Sequence, residues 1–315
     1  MSILLALYIS LLTCTPGEEI YSHYGHTAIR VVDTEHHVDW VFNYGVFNFN
    51  TDHFYAKFVK GYTYYLLNIE PYESFHEEFI SVGRQIYELP LNLTDLQKQQ
   101  LLEALMINYA PRNRSYLYNF VFDNCATRPY YKIKEVFGDS IISTYDGYEG
   151  VTYREVLNQY TDPRGWIGFG INMIFGSRAD QPMHGEERFF LPELLMHFLA
   201  ESNLSAATDL TAQLSDSVSD LTAPWPKNTS PWYTHWYITA IVLWLLLLCL
   251  TLWDRQRRLL SWWVDLVLLI IYLLPVAIAT YLTFFSIHPL VGYNIRLLIF
   301  PLVHLCIRSI YFIRR

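Results

Sequence analysis

A cysteine held between an asparagine and the start of a helix is a common way to set up sulfur chemistry. Asp123-Asn124-Cys125-Ala126-Thr127-Arg128-Pro129 reads that way. Asp123 or Asn124 is a natural N-cap, and Pro129 is tolerated in a first turn, where the N–H it lacks has no helical partner anyway. Lys132, Lys134 and Glu135 continue the helical pattern, and Gly138 ends it. A thiol in the first turn feels the positive end of the helix dipole, which favours the thiolate. Cys125 is therefore the candidate nucleophile, and it needs a base.

Eleven histidines compete for that role. His23-Tyr24-Gly25-His26 leads into a strand-like run, Thr27 to Val32. His26 at the strand edge is held on a rigid element, as a catalytic imidazole must be. Tyr24 beside it is a candidate substrate contact. His23 and His26 have no Cys or acidic partner at metal spacing, so neither a metal nor another cofactor is expected. Val38 to Tyr44 is a second strand, with a turn near Asp33 to His36, and the two make a hairpin. A turn centred at 34–35 places Asn43 across from His26, where its amide would fix the imidazole tautomer as in Cys-His-Asn hydrolases. A slipped register makes Asp39 the candidate instead, and Asn43 then only opens a turn at Gly45.

The elements that position these residues read as α+β. Tyr8 to Cys14, Thr63 to Ile69 and Arg84 to Leu89 are further strand candidates. Thr94 with Gln97 forms a capping-box pattern for a helix to about Asn108, its leucines being plain core. Residues 165–177 are apolar and punctuated by glycine. They suit a core hairpin or an element that dips into a bilayer surface. Arg178 and Asp180 follow as candidate headgroup contacts, beside the plainer reading as solvated surface. Residues 201–232 are polar and lead to the membrane, which sets a soluble domain at 1–232 and a transmembrane domain at 233–315.

Three runs, 236–253, 262–285 and 295–313, have about the 20 apolar residues a bilayer crossing takes. Trp and Tyr flank them. Arg255, Arg257 and Arg258 lie between the first two, and Arg314 and Arg315 follow the third. The loop at His288 to Tyr293 has no Lys or Arg. The positive-inside rule puts the arginines in the cytoplasm and residues 1–232 outside, in a periplasm or its equivalent, on a multi-pass membrane protein. His288 and Asn294 then lie near the outer surface as candidate substrate contacts. The net charge of −8 and the lack of a basic tract in the soluble part argue against nucleic acid as a partner. Met1 to Leu7 has no basic residue and is a poor signal peptide as written, and Leu11-Leu12-Thr13-Cys14 is a weak lipid-attachment motif.

The order of histidine, hairpin and downstream Asn-Cys resembles circularly permuted papain-like folds, including lecithin-retinol acyltransferase and its relatives. The closer likeness covers nearly the whole chain. LLTCTPGEEIYSHYGHTAIRV, VFNYGVFNF, YNFVFDNCATRP, WIGFGINMIFGSRADQP and FFLPELL resemble successive blocks of the Lnb-type bacterial lipoprotein N-acyltransferases, and Ser286 to Pro301 resembles their membrane region. The resemblance implies a permuted papain-like thiol domain followed by a bundle of three transmembrane helices. It implies acyl transfer from a membrane phospholipid, through a Cys125 thioester, to the α-amino group of a diacylglyceryl-cysteine lipoprotein, at the bilayer. His26 would act as base, Asn43 would orient it, and amides at the helix N-terminus would form the oxyanion hole.

Two rivals make different demands. A membrane-anchored cell-wall cysteine peptidase would use the same Cys-His pair on peptidoglycan peptides, but would not need three spans. A non-enzymatic module would join Cys14 and Cys125, the two cysteines outside the spans, as a disulfide.

Overall fold

The computed structural model describes residues 7–47, 52–203, 229–257 and 262–294. They divide into two compact units, one formed by residues 1–151 and 182–226, the other by 152–181 and 227–315.

The first unit is built on strands β1 (Leu7–Cys14), β2 (His26–Asp33) and β3 (Val38–Val46), rich in β-branched and aromatic residues. Helix α1 (Phe54–Lys60) leads to β4 (Tyr64–Pro71), α2 (Tyr72–Ser81) and β5 (Ile86–Pro90). Then follow α3 (Asp95–Tyr109), the short β6 (Ser115–Leu117) and α4 (Thr127–Phe137). The sheet order is β5-β1-β2-β3-β4-β6, with every pairing antiparallel. The capping box of Thr94 and Gln97 opens α3 as its sequence requires.

Alternation along the strands sends side chains to two faces, and both are covered. On one face Leu12, Cys14, Ala28 and Val41 pack against Phe75 and Phe79 of α2. On the other, Leu11, Ile29, Phe42 and Leu67 are fully buried. There the Tyr44 hydroxyl donates to Asn108 Oδ1 of α3 at 2.8 Å. Each such aliphatic or aromatic side chain is worth about 1.5–3 kcal/mol on burial.

The hairpin differs from expectation by two residues. Its loop is Thr34 to His37, closed by the Asp33–Val38 pair, and His37 adopts a left-handed backbone with φ 54°. Asn43 therefore faces Ala28 rather than His26. A shift of two preserves the face, because side chains alternate with period two. Asn43 and His26 remain diagonal neighbours.

The second unit holds α5 (Tyr153–Tyr160) and α6 (Trp166–Ile174). Residues 166–174 thus form a helix rather than a hairpin. Arg154 of α5 gathers the surrounding chain, donating to Asp180 at 2.7 Å and to the carbonyl and side-chain oxygens of Asn172 at 3.0 Å. In the first unit, α7 (Pro192–Ala200) starts on proline at its first turn. The second unit continues with α8 (Trp236–Arg257) and α9 (Trp262–Phe285). Both are long and apolar enough to cross a membrane, with mean hydropathies of 2.1 over Trp236–Asp254 and 2.4 over α9. A buried core helix would hide its apolar window, whereas α8 hides none of it. The third expected span, 295–313, lies outside the described residues. After α9 the chain returns to α6: Gly176 N–H donates to Leu290 O at 2.8 Å, and Asn294 donates to Met173 O. A β-carbon at residue 176 would lie 1.6 Å from the Gly292 carbonyl oxygen, so only glycine fits there.

Candidate active site

Asn124 fixes the chain at Cys125. Its side chain donates to Phe120 O and Phe190 O, both at 2.8 Å, and accepts from the amides of Ala126 and Thr127 at 2.8 and 2.9 Å. All four hydrogen-bonding positions of this buried amide are used, the condition for a rigid polar core. Arg128 pairs with Asp123 through both side-chain oxygens and lies over the Tyr116 ring at 4.0 Å. Cys125 is thereby locked two residues ahead of α4 rather than within its first turn.

This corrects two expectations. The amides of Ala126 and Thr127 are occupied by Asn124, so they are not an oxyanion hole. The amides that point at the sulfur are those of Thr27 and of Cys125 itself. Nor is the thiol acidic. Burial outweighs those two amides and the nearby Arg84, and pushes Cys125 up to about 11. The resting group is a neutral thiol.

His26 stands at the start of β2, with its ring stacked on Phe79 at 5.6 Å and near Phe75 at 6.4 Å. This burial drives the imidazole down to about 4, against the opposing hydrogen bond it donates to Asn43 and with a further push from the charge of Arg84. It is neutral at pH 7. Asn43 Oδ1 lies 2.7 Å from His26 Nε2, and Asn43 Nδ2 donates to Glu70 Oε1 at 2.7 Å. Glu70, on β4, was not anticipated from the sequence. Its carboxylate accepts only, so it demands the amide nitrogen of Asn43 and turns the amide oxygen toward His26. The imidazole must then carry its proton on Nε2, which leaves Nδ1 as the lone-pair nitrogen. Asp39, the alternative orienting group, instead forms a bidentate pair with Arg30 at 2.8 and 2.7 Å.

Gly45 brings the thiol and the imidazole together. It lies in the β3–β4 bulge with φ 92°, in the region that favours glycine. A β-carbon there would lie 3.5 Å from Cys125 Cβ and 3.7 Å from His26 Cε1. The two side chains thus converge over the one position without a side chain. Gly45→Ala is expected to lose about 1–3 kcal/mol of stability through its backbone conformation. The measurement is the denaturant midpoint of the full chain in detergent, and an unchanged midpoint contradicts this account.

Cys14 lies directly opposite His26 on β1, fully buried, and both Cys14 and Cys125 are free thiols. Burial within β1 gives Cys14 a core role rather than that of an exposed lipid-attachment site. Tyr24 is partly buried two residues before His26. Arg178, Asp180, His288 and Asn294 belong to the second unit. Of these, Asp180 anchors Arg154 and Asn294 caps the end of α6. Among the described residues no three His, Cys, Asp or Glu side chains are grouped to hold a metal.

Comparison with known proteins agrees with this organisation. Residues 3–159 match the family description Lnb N-terminal periplasmic domain, and residues 228–315 match Lnb transmembrane domain. No curated protein and no solved structure matches the chain. The two matched segments, in this order, cover most of the sequence and describe a membrane-anchored protein with a periplasmic domain. The chain belongs to the Lnb family.

Proposed function

We propose that this protein is a thiol-dependent lipoprotein N-acyltransferase. The observation that carries the reading is the chain Glu70–Asn43–His26, which leaves Nδ1 as the lone-pair nitrogen of an imidazole that faces Gly45 together with Cys125, on a domain of periplasmic type. In this reading the domain is a permuted papain-like fold over residues 1–232, on the outer face of the inner membrane. Residues 233–315 anchor it through spans at 236–253, 262–285 and 295–313.

Because both groups rest neutral, proton transfer accompanies attack. The Cys125 sulfur forms a bond to the ester carbonyl of a membrane phospholipid while His26 Nδ1 takes the thiol proton. The tetrahedral oxyanion forms near the amides of Cys125 and Thr27. Its collapse breaks the carbon–oxygen bond, and His26 returns the proton to the departing lyso-lipid oxygen. The product is a Cys125 thioester. The α-amine of a diacylglyceryl-cysteine lipoprotein then attacks that carbonyl and loses a proton to His26. The carbon–sulfur bond breaks, and the proton goes back to sulfur. Tyr24 near His26, and Arg178, Asp180, His288 and Asn294 near the membrane, are proposed substrate contacts. Asp180 and Asn294 would act through the local structure they hold.

The test is mass spectrometry of a synthetic diacylated lipoprotein N-terminus incubated with full-length protein and phospholipid vesicles. Gain of one acyl group on the α-amine is the expected result. An unmodified amine with cleaved peptide bonds would establish the peptidase chemistry instead.

A further inference from the structure

Arg84, just before β5, is a buried cation. Only 9% of the residue is exposed. Its Nε donates to the Thr15 carbonyl at 2.6 Å and its guanidinium lies over the Phe79 ring at 4.5 Å. Its Nη2 is buried with no hydrogen-bond partner. Among the described residues no carboxylate comes within 4.0 Å of it. Burying an unpaired charge is costly, and such groups are paired or held for a ligand.

A cavity of about 240 Å³ opens at this guanidinium. Phe79 lines it and is the same ring that stacks on His26, so one aromatic ring stands between the cavity and the candidate base. Its other wall carries Glu18, Glu19 and Glu78, all exposed. The space is smaller than the roughly 300–1,000 Å³ of sites for drug-sized molecules. It suits a polar headgroup and not a pair of acyl chains. A buried guanidinium on one side and three carboxylates at the rim complement a zwitterion with an inner anion and an outer cation.

We propose that this cavity is the headgroup subsite of the acyl donor, in which Arg84 binds the phosphodiester and the glutamates receive a terminal ammonium. The proposal rests on the reading of a phospholipid as donor. It makes a phosphoethanolamine-type lipid the preferred substrate, with the ester and the phosphate carried on one glycerol and presented to Cys125 and Arg84 together.

The experiment uses the full chain in detergent micelles and follows acylation of Cys125 by intact-protein mass spectrometry. The donors are phosphatidylethanolamine, phosphatidylglycerol and diacylglycerol with the same acyl chains. Wild type should acylate fastest with phosphatidylethanolamine. Arg84→Gln should lose about 10²-fold with either phospholipid, as expected for removing one partner of a buried charge pair. Measured against its own diacylglycerol rate, which involves no phosphate, the phospholipid rate of the variant should fall by about that factor, and a thermal unfolding midpoint close to wild type shows that the variant is folded. Arg84→Lys should retain an intermediate rate. Equal loss on all three donors would overturn the proposal, since Arg84 would then serve the thiol, and so would no loss on any donor. Binding of a dialkyl-ether phosphatidylethanolamine, which has no ester to transfer, separates this inference from its parent. If wild type forms no acyl-cysteine yet binds the ether lipid in an Arg84-dependent way, acyl transfer fails and the headgroup subsite stands. If Arg84→Gln binds it as wild type does, the subsite fails.

Discussion

Cys125→Ser forms no hydroxylamine-labile acyl adduct on incubation with phospholipid, and transfer to a diacylated acceptor falls by at least about 10³-fold. The size of the effect follows from the chemistry. A serine hydroxyl in this place has a far weaker nucleophile than sulfur, and the buried site that holds even the thiol neutral up to about 11 disfavours an alkoxide more strongly. Any slow oxyester would resist neutral hydroxylamine, so the loss of a labile adduct reports the sulfur itself. Cys14→Ser is the control. Cys14 is fully buried and lies across β1–β2 from His26, so its replacement alters packing but leaves the labile adduct on Cys125. An adduct that persists in Cys125→Ser and vanishes in Cys14→Ser would reverse the assignment.

His26→Ala slows Cys125 acylation by about 10²–10⁴-fold, the usual worth of a positioned general base. Because the thiol is not ionised at rest, no preformed thiolate is left to carry the reaction when the imidazole is removed. The pH dependence sharpens the test. The imidazole works only when neutral, and its pKa is held down to about 4 by its apolar surroundings. Wild-type acylation should therefore stay level as pH falls from 7 to about 5 and decline only near 4. The same depression has a sign for stability. Between about 6.5 and about 4 the unfolded chain binds a proton on residue 26 that the folded chain does not, so this residue's contribution to stability is lost as pH falls through that window. Glu70→Gln tests the positioning chain. A neutral amide there no longer dictates which way Asn43 points, so the Nε2–H tautomer is less populated. The expected rate loss is smaller than for His26→Ala, and Glu70→Asp should restore part of it. An unchanged rate in Glu70→Gln would remove Glu70 from the account.

The pairing of His26 with Asn43 was legible in the sequence even though the predicted turn was displaced. Strand periodicity is forgiving of an error of two, and the diagonal neighbour on the same face still lies within hydrogen-bond reach. Glu70 was not legible, because β4 runs past the expected end at Ile69. Its reach to Asn43 also depends on the β3–β4 register, which pairs Glu70 with Val41 and leaves it diagonal to Asn43, and no local pattern announces that register. Asp123 or Asn124 was expected as the N-cap, but Ala126 holds that position; Asn124, two residues earlier, takes up the amides of Ala126 and Thr127, which removes them from catalysis. The protonation states failed for a different reason. Helix position is visible in a sequence, whereas desolvation is a tertiary property, and at Cys125 desolvation dominates. Residues 166–174 form a helix that no clear cap or polar alternation marks, since apolar periodicity alone does not separate a short buried strand from a helix.

The central claim is that the Cys125 sulfur carries the acyl group. The most direct measurement is intact-protein and peptide mass spectrometry of the wild-type chain after brief incubation with phospholipid and no acceptor. The predicted result is one acyl chain on the Cys125 peptide, released by neutral hydroxylamine and discharged when a diacylated lipoprotein N-terminus is added. An unmodified Cys125 in protein that nonetheless transfers the acyl chain to the acceptor would contradict it.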